Sequence, residues 1–288
     1  MREISKRGGS MDSSHSVRMI GSSIGVLGAG NIASAIVAGI ISSGIAPAER
    51  VVVYDISEER IALFRQKGCT GAASAAEVVE KCDTVILSVK PQNFSDLFGS
   101  MRGSLTADKL LITIAAGVTI ARVKTLAGLE LPVVRVLPNT PMLLSQGASV
   151  IAAEAPVTGE QLDFAESIFN SCGITKRIDE SAINASLPIH SSSPAFLFLF
   201  AKITADYAEK EGIDRDSAMS LFAQTMRGCA DMLDKSGMSA EQLIRMVTSP
   251  NGTTEAALKE FERLGFSETV TSALVRCKER GDELGRNS

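Results

Sequence analysis

A doubly wound α/β sheet followed by an all-α carboxyl-terminal region is the architecture that this 288-residue sequence predicts. Three observations carry the prediction. Short β-branched and apolar runs alternate with helical segments as far as residue 178, the pattern of a mostly parallel sheet with helices on both faces. The first run ends in a glycine turn, Gly28-Ala29-Gly30-Asn31-Ile32-Ala33. After Asp179 the β-like runs stop and helical patterning takes over.

Each element follows from its residues. Residues 24–27 are a short apolar run, and 31–43 carry Ile32, Ile36 and Ile40 at helical spacing before Gly44, giving strand, turn and helix. Val51-Val52-Val53-Tyr54 is a β-branched strand closed by Asp55, and 58–66 have helical composition. Residues 84–89 form the next strand, stopped by Pro91, and 110–114 and 133–136 repeat the pattern. Residues 148–152 and 173–178 predict edge strands around a helix at 159–170. Helices are then predicted at 194–210, 216–235, 240–247, 254–263 and 267–283, separated at Gly212, Gly237, Pro250-Asn251-Gly252 and Gly265. The expected division is a disordered leader or expression remnant at 1–22, a Rossmann-like dinucleotide-binding domain at 23–178 and a helical domain at 179–288.

Composition narrows the function. A net charge of −4 with both signs interspersed leaves no basic stripe for a phosphate backbone, which argues against nucleic acid as a partner. The five cysteines are odd in number and scattered without metal-ligand or redox spacing, so no metal is expected and the thiols read as reduced and mostly buried in a cytoplasmic protein. No apolar segment near the start could serve as a secretory signal. The apolar stretch 195–201 is interrupted by Lys202, far short of the roughly 20 residues of a membrane span, and is expected to be a buried helix.

In the glycine turn, Gly28 permits the tight bend, Gly30 lets backbone approach a pyrophosphate and Ala33 keeps the helix close to the strand. Helix-start amides, beginning at Asn31 and Ile32, then face the phosphates. Asp55, at the end of the second strand, can accept from both ribose hydroxyls of an adenosine or can simply cap the helix beginning near Ser57. The first role favours NADH, whereas Arg60 and Arg65 on the next helix could accommodate the 2′-phosphate of NADPH. Three further loops leave the same ends of the strands and should line the crevice: Ser88-Val89-Lys90-Pro91-Gln92, Ala115-Ala116-Gly117 and Leu137-Pro138-Asn139-Thr140-Pro141.

A second cluster lies in the helical half. In Thr248-Ser249-Pro250-Asn251-Gly252-Thr253-Thr254, Ser249 and Thr254 offer hydroxyls, and the amides of Gly252, Thr253 and Thr254 sit at a predicted helix start that favours an anion. The same residues could be an ordinary turn plus helix cap. A dinucleotide grip and an anion cradle together imply a small anionic substrate held against a nicotinamide.

With these segments in hand, the chain resembles the pyrroline-5-carboxylate reductase family. The matching pieces, in order, are IGVLGAGNIA at 24–33, SVKPQ at 88–92, AAGVTI at 115–120, RVLPNTP at 135–141, SSPAF at 192–196, TSPNGTTEAAL at 248–258 and GF at 265–266. The resemblance implies reduction of 1-pyrroline-5-carboxylate, a cyclic imino acid, to proline with NADPH or NADH. It also implies that the all-α region is a dimerisation domain, in a homodimer or higher homo-oligomer whose active site is shared between subunits. Carried over residue by residue, it places the substrate carboxylate on Ser249, Gly252, Thr253 and Thr254, beside Pro194, and makes Thr254 and Ser249 the catalytic hydroxyls. The coenzyme is implied at Gly28, Gly30, Asn31, Ile32, Asp55, Ser88, Val89, Lys90, Pro91, Ala116, Gly117 and Asn139.

The chain departs from the family where a Ser-Gly-Ser-Gly-Pro-Ala-Tyr segment is usual and His190-Ser191-Ser192-Ser193-Pro194-Ala195-Phe196 stands instead. Serine at positions suited to glycine implies added bulk and backbone strain. Asn184 replaces a common aspartate, Pro188 intrudes, and Ser74-Ala75 stands where many members place an asparagine. His190 could act as a general acid if it faces the pocket, or be an exposed loop residue. Phe196, Phe198 and Phe200 read as core or dimer-interface residues. These departures keep two alternatives open: reduction of another cyclic imino acid, or a diverged dinucleotide-binding regulator without turnover.

Overall fold

The apolar runs become one eight-stranded sheet in the computed structural model, which describes residues 23–286. The expected leader at 1–22 lies outside the described residues. Along the chain come β1 (Ile24–Leu27), α1 (Asn31–Ser42), β2 (Val51–Tyr54), α2 (Glu58–Arg65), β3 (Thr70–Gly71), α3 (Ala75–Lys81) and β4 (Thr84–Leu87). Then follow α4 (Phe94–Ser100), β5 (Leu110–Thr113), α5 (Ile120–Ala127), β6 (Val133–Leu137), β7 (Gly147–Ala153), α6 (Gly159–Asn170) and β8 (Gly173–Arg177).

The strand order is β3-β2-β1-β4-β5-β6-β7-β8, parallel throughout except that β7 runs antiparallel to β6. Alternate residues of each strand feed the two faces. Ile24, Val26, Ile86 and Ile112 pack against α1 and α6, whereas Leu27, Val85, Leu87 and Leu111 pack against α3, α4 and α5. Burial on both faces explains why these strands read as continuous apolar runs rather than as alternating ones. The edges are β3 and β8; β7, expected at an edge, is paired on both sides.

In this half of the chain four elements were not legible in the sequence: β3, α3, α4 and α5. Each is short, and α3 and α5 owe their starts to caps, Ser74 accepting from the Glu77 amide and Thr119 from the Arg122 amide. Too few turns exist in such helices for periodicity to declare itself.

Past β8 the chain is helical: α7 (Ile183–Ser186), a π-helical turn (Leu187–Ser191), α8 (Ser193–Lys210), α9 (Arg215–Lys235), α10 (Ala240–Met246), α11 (Thr253–Arg263) and α12 (Phe266–Arg286). The expectation of a buried helix at 195–201 is corrected here. The helix forms, but Phe196, Phe198 and Phe200 are 40–65% exposed, because the described residues leave most of that face uncovered. Phe200 does stack on Phe222 of α9, ring centroids 5.7 Å apart. No helix among the described residues is long and apolar enough to cross a membrane.

Cys69, Cys82 and Cys172 are buried free thiols, as expected, while Cys229 is exposed. Burial pushes the Cys82 thiol up to about 11, and raises Cys69 and Cys172 as well. The folded state therefore keeps these protons to higher pH than the unfolded chain. Their contribution to stability is whole below the free-thiol pKa of about 8.5 and is lost as pH rises through the folded value. We expect an alkylating reagent at pH 8 to leave these three thiols untouched until the protein is unfolded. Mass spectrometry checks this, and native-state labelling of Cys82 at the rate of a free thiol would contradict it.

Candidate active site

The sheet reverses direction of winding between β1 and β4, and a crevice opens there at the carboxyl ends of the strands. Gly28 follows β1 with φ +100°, donates to the Tyr54 carbonyl at 2.8 Å, and lies so close to β4 that a Cβ would sit 2.6 Å from the Ser88 carbonyl oxygen. Gly30 differs: a Cβ there would meet only Arg60 Nη1, at 4.0 Å, so its outer side is open. Asn31 is exposed and Ile32 half-buried at the first turn of α1, whose Gly30 cap makes no side-chain hydrogen bond. Backbone closeness on one side and an open, amide-lined helix start on the other fit the pyrophosphate of a dinucleotide.

Asp55 does not cap α2, whose cap is Ser57 accepting from the Arg60 amide, but braces the turn that leads into it. Its Oδ2 accepts from the Ala29 amide at 2.7 Å and its Oδ1 from the Ser57 amide at 2.9 Å, bracing the glycine turn against α2. Carboxylate oxygens keep further lone pairs, so a ribose hydroxyl is still accommodated. Arg60 Nη1 donates to the Ala29 carbonyl at 3.2 Å, which puts a guanidinium over the same turn. Arg65 instead pairs with Glu58 and lies against Gly71.

The other loops also leave the carboxyl ends of the parallel strands. Ser88 and Val89 are half-buried beside Gly28, Lys90 is exposed, and Pro91 starts a short 3-10 turn. Ala116 is half-buried, and Gly117, at φ +80°, is covered by α12: a Cβ there would lie 3.2 Å from the Gly285 amide nitrogen and from Leu284 Cβ. Asn139 is buried with its side chain engaged, Nδ2 donating to the His190 carbonyl at 2.9 Å and Oδ1 accepting from the Ala148 amide at 2.9 Å. It shapes the loop rather than presenting a free amide.

The departing segment is not a strained turn. Residues 187–191 form the π-helical turn, and among the described residues the only non-glycine positive φ values are at Ser145 and Asn251, so Ser191 and Ser193 carry no such strain. His190 is neither exposed nor a free general acid. Its Nδ1 lies 3.0 Å from the Ser186 carbonyl oxygen and its Nε2 2.8 Å from that of Leu137, so either tautomer donates to a carbonyl, and the ring lies between the turn and β6. Pro194 is buried in the first turn of α8.

The loop ahead of α11 has the local form expected of an anion cradle. The Gly252 amide donates to the Ser249 carbonyl at 3.0 Å, Asn251 turns through φ +59°, and its amide donates to Glu255 Oε2 at 2.6 Å. A Cβ on Gly252 would fall 2.5 Å from Ser249 Oγ, so glycine is what lets that hydroxyl sit over the helix start. Thr248 spends its hydroxyl on the Ile244 carbonyl at 2.7 Å. The hydroxyls of Ser249, Thr253 and Thr254 have no hydrogen-bond partner among the described residues. Amides in the first turn of α11 lack intrahelical acceptors as well.

Within the described residues the loops expected to hold the coenzyme are not joined to the loop ahead of α11. No hydrogen bond or ion pair among the described residues links 248–254 to the glycine turn or to the loops at 88–92, 115–117 and 137–141. Instead α11 packs on α12, and α8 to α12 carry exposed apolar side chains, including Leu221, Ile244, Phe261 and Val275.

Sequence reasoning missed Arg135. Its guanidinium, 4% exposed, donates to Glu180 Oε1 at 3.3 Å and to Asn184 Oδ1 at 3.0 Å, and Glu180 Oε1 also accepts from the Ile120 amide at 2.7 Å. Burial lowers the Arg135 pKa from its ordinary value and the Glu180 charge opposes that shift. A charged residue inside the apolar run of β6 was the signal available.

Comparison with known proteins supplies the remaining findings. Residues 180–284 match the family described as pyrroline-5-carboxylate reductase dimerisation, and residues 23–117 that described as NADP oxidoreductase, coenzyme F420-dependent. The chain is 38% identical over 263 residues to a pyrroline-5-carboxylate reductase of Pseudomonas aeruginosa, covering 91% of this chain and 96% of that one. It is 37% identical to one of Methanosarcina acetivorans, covering 91% and 98%. Among solved structures, a pyrroline-5-carboxylate reductase of Coxiella burnetii superposes with a TM-score of 0.85 at 32% identity, covering 91% and 98%. The Plasmodium falciparum pyrroline carboxylate reductase with NADP bound superposes with a TM-score of 0.84 at 29% identity, covering 93% and 99%.

Proposed function

The chain belongs to the pyrroline-5-carboxylate reductase family, and from that premise we propose that it reduces 1-pyrroline-5-carboxylate to proline at a site shared between two copies of the chain. Residues 23–178 form the dinucleotide-binding domain of this reading and 179–288 the dimerisation and substrate domain. The observation that carries it is the separation of two prepared half-sites, a coenzyme crevice at β1 and β4 and an anion cradle ahead of α11, in a chain whose helices leave apolar faces open. A second copy docked on those faces supplies the missing half. Its assembly is a homodimer or a higher homo-oligomer, in a cytoplasmic setting.

The reaction balances as imine plus reduced coenzyme plus one proton giving amine and oxidised coenzyme. When bound, the reduced nicotinamide dinucleotide supplies the hydride to the imine carbon. The chain's own work is positioning. Gly28 and Gly30, with the α1 amides at Asn31 and Ile32, hold the pyrophosphate, and Asp55 takes the adenosine ribose. Ser88, Val89, Lys90, Pro91, Ala116, Gly117 and Asn139 wall the crevice. The free amides of Thr253 and Thr254 and the Ser249 hydroxyl hold the substrate carboxylate, with Gly252 giving clearance and Pro194 closing one side. The Thr254 hydroxyl donates to the imine nitrogen and relays the proton.

NADPH is the expected coenzyme, because Arg60 and Asp55 both bond to Ala29, so the guanidinium stands beside the ribose site, where it offsets the Asp55 carboxylate and supplies the positive charge a 2′-phosphate needs. The test is oxidation of NADPH and, separately, NADH by the purified protein with pyrroline-5-carboxylate over a range of concentrations. Saturable turnover with NADPH is the expected result. Coenzyme binding without turnover on this substrate would sink the proline-forming reading, and a preference for NADH would remove Arg60 from the phosphate site.

A further inference from the structure

Beyond the two half-sites, the molecule contains a chain of polar side chains that crosses from the sheet to the last helix. Arg135 on β6 donates to Asn184 Oδ1 at 3.0 Å; Asn184 Nδ2 donates to Asp282 Oδ1 at 2.9 Å; and Lys278 Nζ donates to Asp282 Oδ2 at 2.7 Å. Asn184 is thus bonded in opposite senses, its carbonyl to a cation and its amide to a carboxylate. Only an amide does both at once, because an ionised aspartate has acceptors alone.

The helix held in this way ends on the coenzyme crevice. Gly281, next to Asp282, lies so close to the π-helical turn that a Cβ would fall 2.2 Å from Leu187 Cδ1. One turn on, a Cβ at Gly285 would fall 3.0 Å from the Gly117 carbonyl oxygen. The end of α12 therefore presses directly on the loop that carries Ala116 and Gly117, and Asp282 is its polar tether.

We propose that Asn184 is a positioning residue that, with Asp282, sets the coenzyme loop 115–117 by anchoring the end of α12 to the buried Arg135. This rests on the reading of that loop as part of the coenzyme site. Charge dictates how it fails. An aspartate at 184 would set two carboxylates against each other across the 2.9 Å contact, whereas an asparagine at 282 would donate to that aspartate and restore the tether in reversed polarity.

The experiment measures NADPH affinity by the fluorescence of the bound coenzyme, which needs no turnover, on wild type, N184D, D282N and N184D/D282N. We expect N184D to weaken NADPH about tenfold, the double variant to return to within about twofold of wild type, and D282N alone to change little. A double variant no better than N184D, or N184D equal to wild type, overturns the proposal. Should N184D fail to fold, N184A, which removes both hydrogen bonds without repulsion, is measured instead and must weaken NADPH with its thermal unfolding midpoint nearly kept; unchanged affinity overturns the proposal. Wild type that fails to bind NADPH would overturn the coenzyme reading itself, an outcome distinct from the others.

Discussion

Replacing Gly28 by alanine is expected to weaken NADPH binding by at least about 100-fold and to lower the thermal stability of the protein. Two independent costs act at this position. At φ +100° an L side chain is strained whatever the space around it. The new Cβ would also fall 2.6 Å from the Ser88 carbonyl oxygen and 2.8 Å from its carbon. These are backbone atoms of a strand end pinned by the Ser88 amide donating to the Leu27 carbonyl at 2.8 Å, so they cannot swing aside as a long side chain would. Relief must come from separating β1 from β4, where the crevice forms. Gly30→Ala is the control: its Cβ meets only the tip of Arg60 at 4.0 Å, so the protein should fold normally and lose affinity through the phosphate approach alone. Fluorescence titration with NADPH beside thermal unfolding distinguishes the two variants. Wild-type affinity in Gly28→Ala would move the dinucleotide away from the switch point.

Thr254→Ala is expected to lower kcat for imine reduction by roughly 10²- to 10⁴-fold while leaving NADPH affinity unchanged, the range for loss of a positioned proton donor. The structure makes this variant a clean probe. Thr254 does not cap α11, since Gly252 is the cap and makes no side-chain bond, and the Thr254 hydroxyl has no partner among the described residues. Its removal therefore costs little stability, and lost turnover reports on chemistry. Thr254→Ser keeps the hydroxyl and should keep most of the rate. Thr248→Ala provides contrast, because that hydroxyl is already bound to the Ile244 carbonyl and should matter much less to the reaction. Equal turnover by wild type and Thr254→Ala would take this loop out of the mechanism.

A different energetic logic applies at Arg135, which no reading of the sequence singled out. Its guanidinium is nearly buried, and removing one member of such a buried pair costs about 3–5 kcal/mol because the other charge is left uncompensated. Glu180→Gln should therefore destabilise the protein far more than loss of an exposed pair such as Lys235 with Asp231, whose members are more than 60% exposed. Urea unfolding of the two variants measures the difference, and equal midpoints would show that Asn184 alone suffices to hold Arg135.

The parts of the molecule legible in the sequence are those governed by neighbours a few residues apart. The β-branched run 51–54, the isoleucines of α1 at helical spacing and the Gly28 turn each carry their cause within a single segment, and each element formed within a residue or two of its expected limits. The turn at 248–252 and the helix start at Thr253 were legible for the same reason, being local. Tertiary structure alone decided the rest. Arg135 finds Glu180 across 45 residues and Asn184 finds Asp282 across 98, while the His190 ring reaches the Leu137 carbonyl across 53. The apolar face of α8 shows the limit most plainly. Periodicity and composition specify that such a face must be covered, but what covers it depends on which other surfaces reach it, and the described residues of one chain leave most of it open.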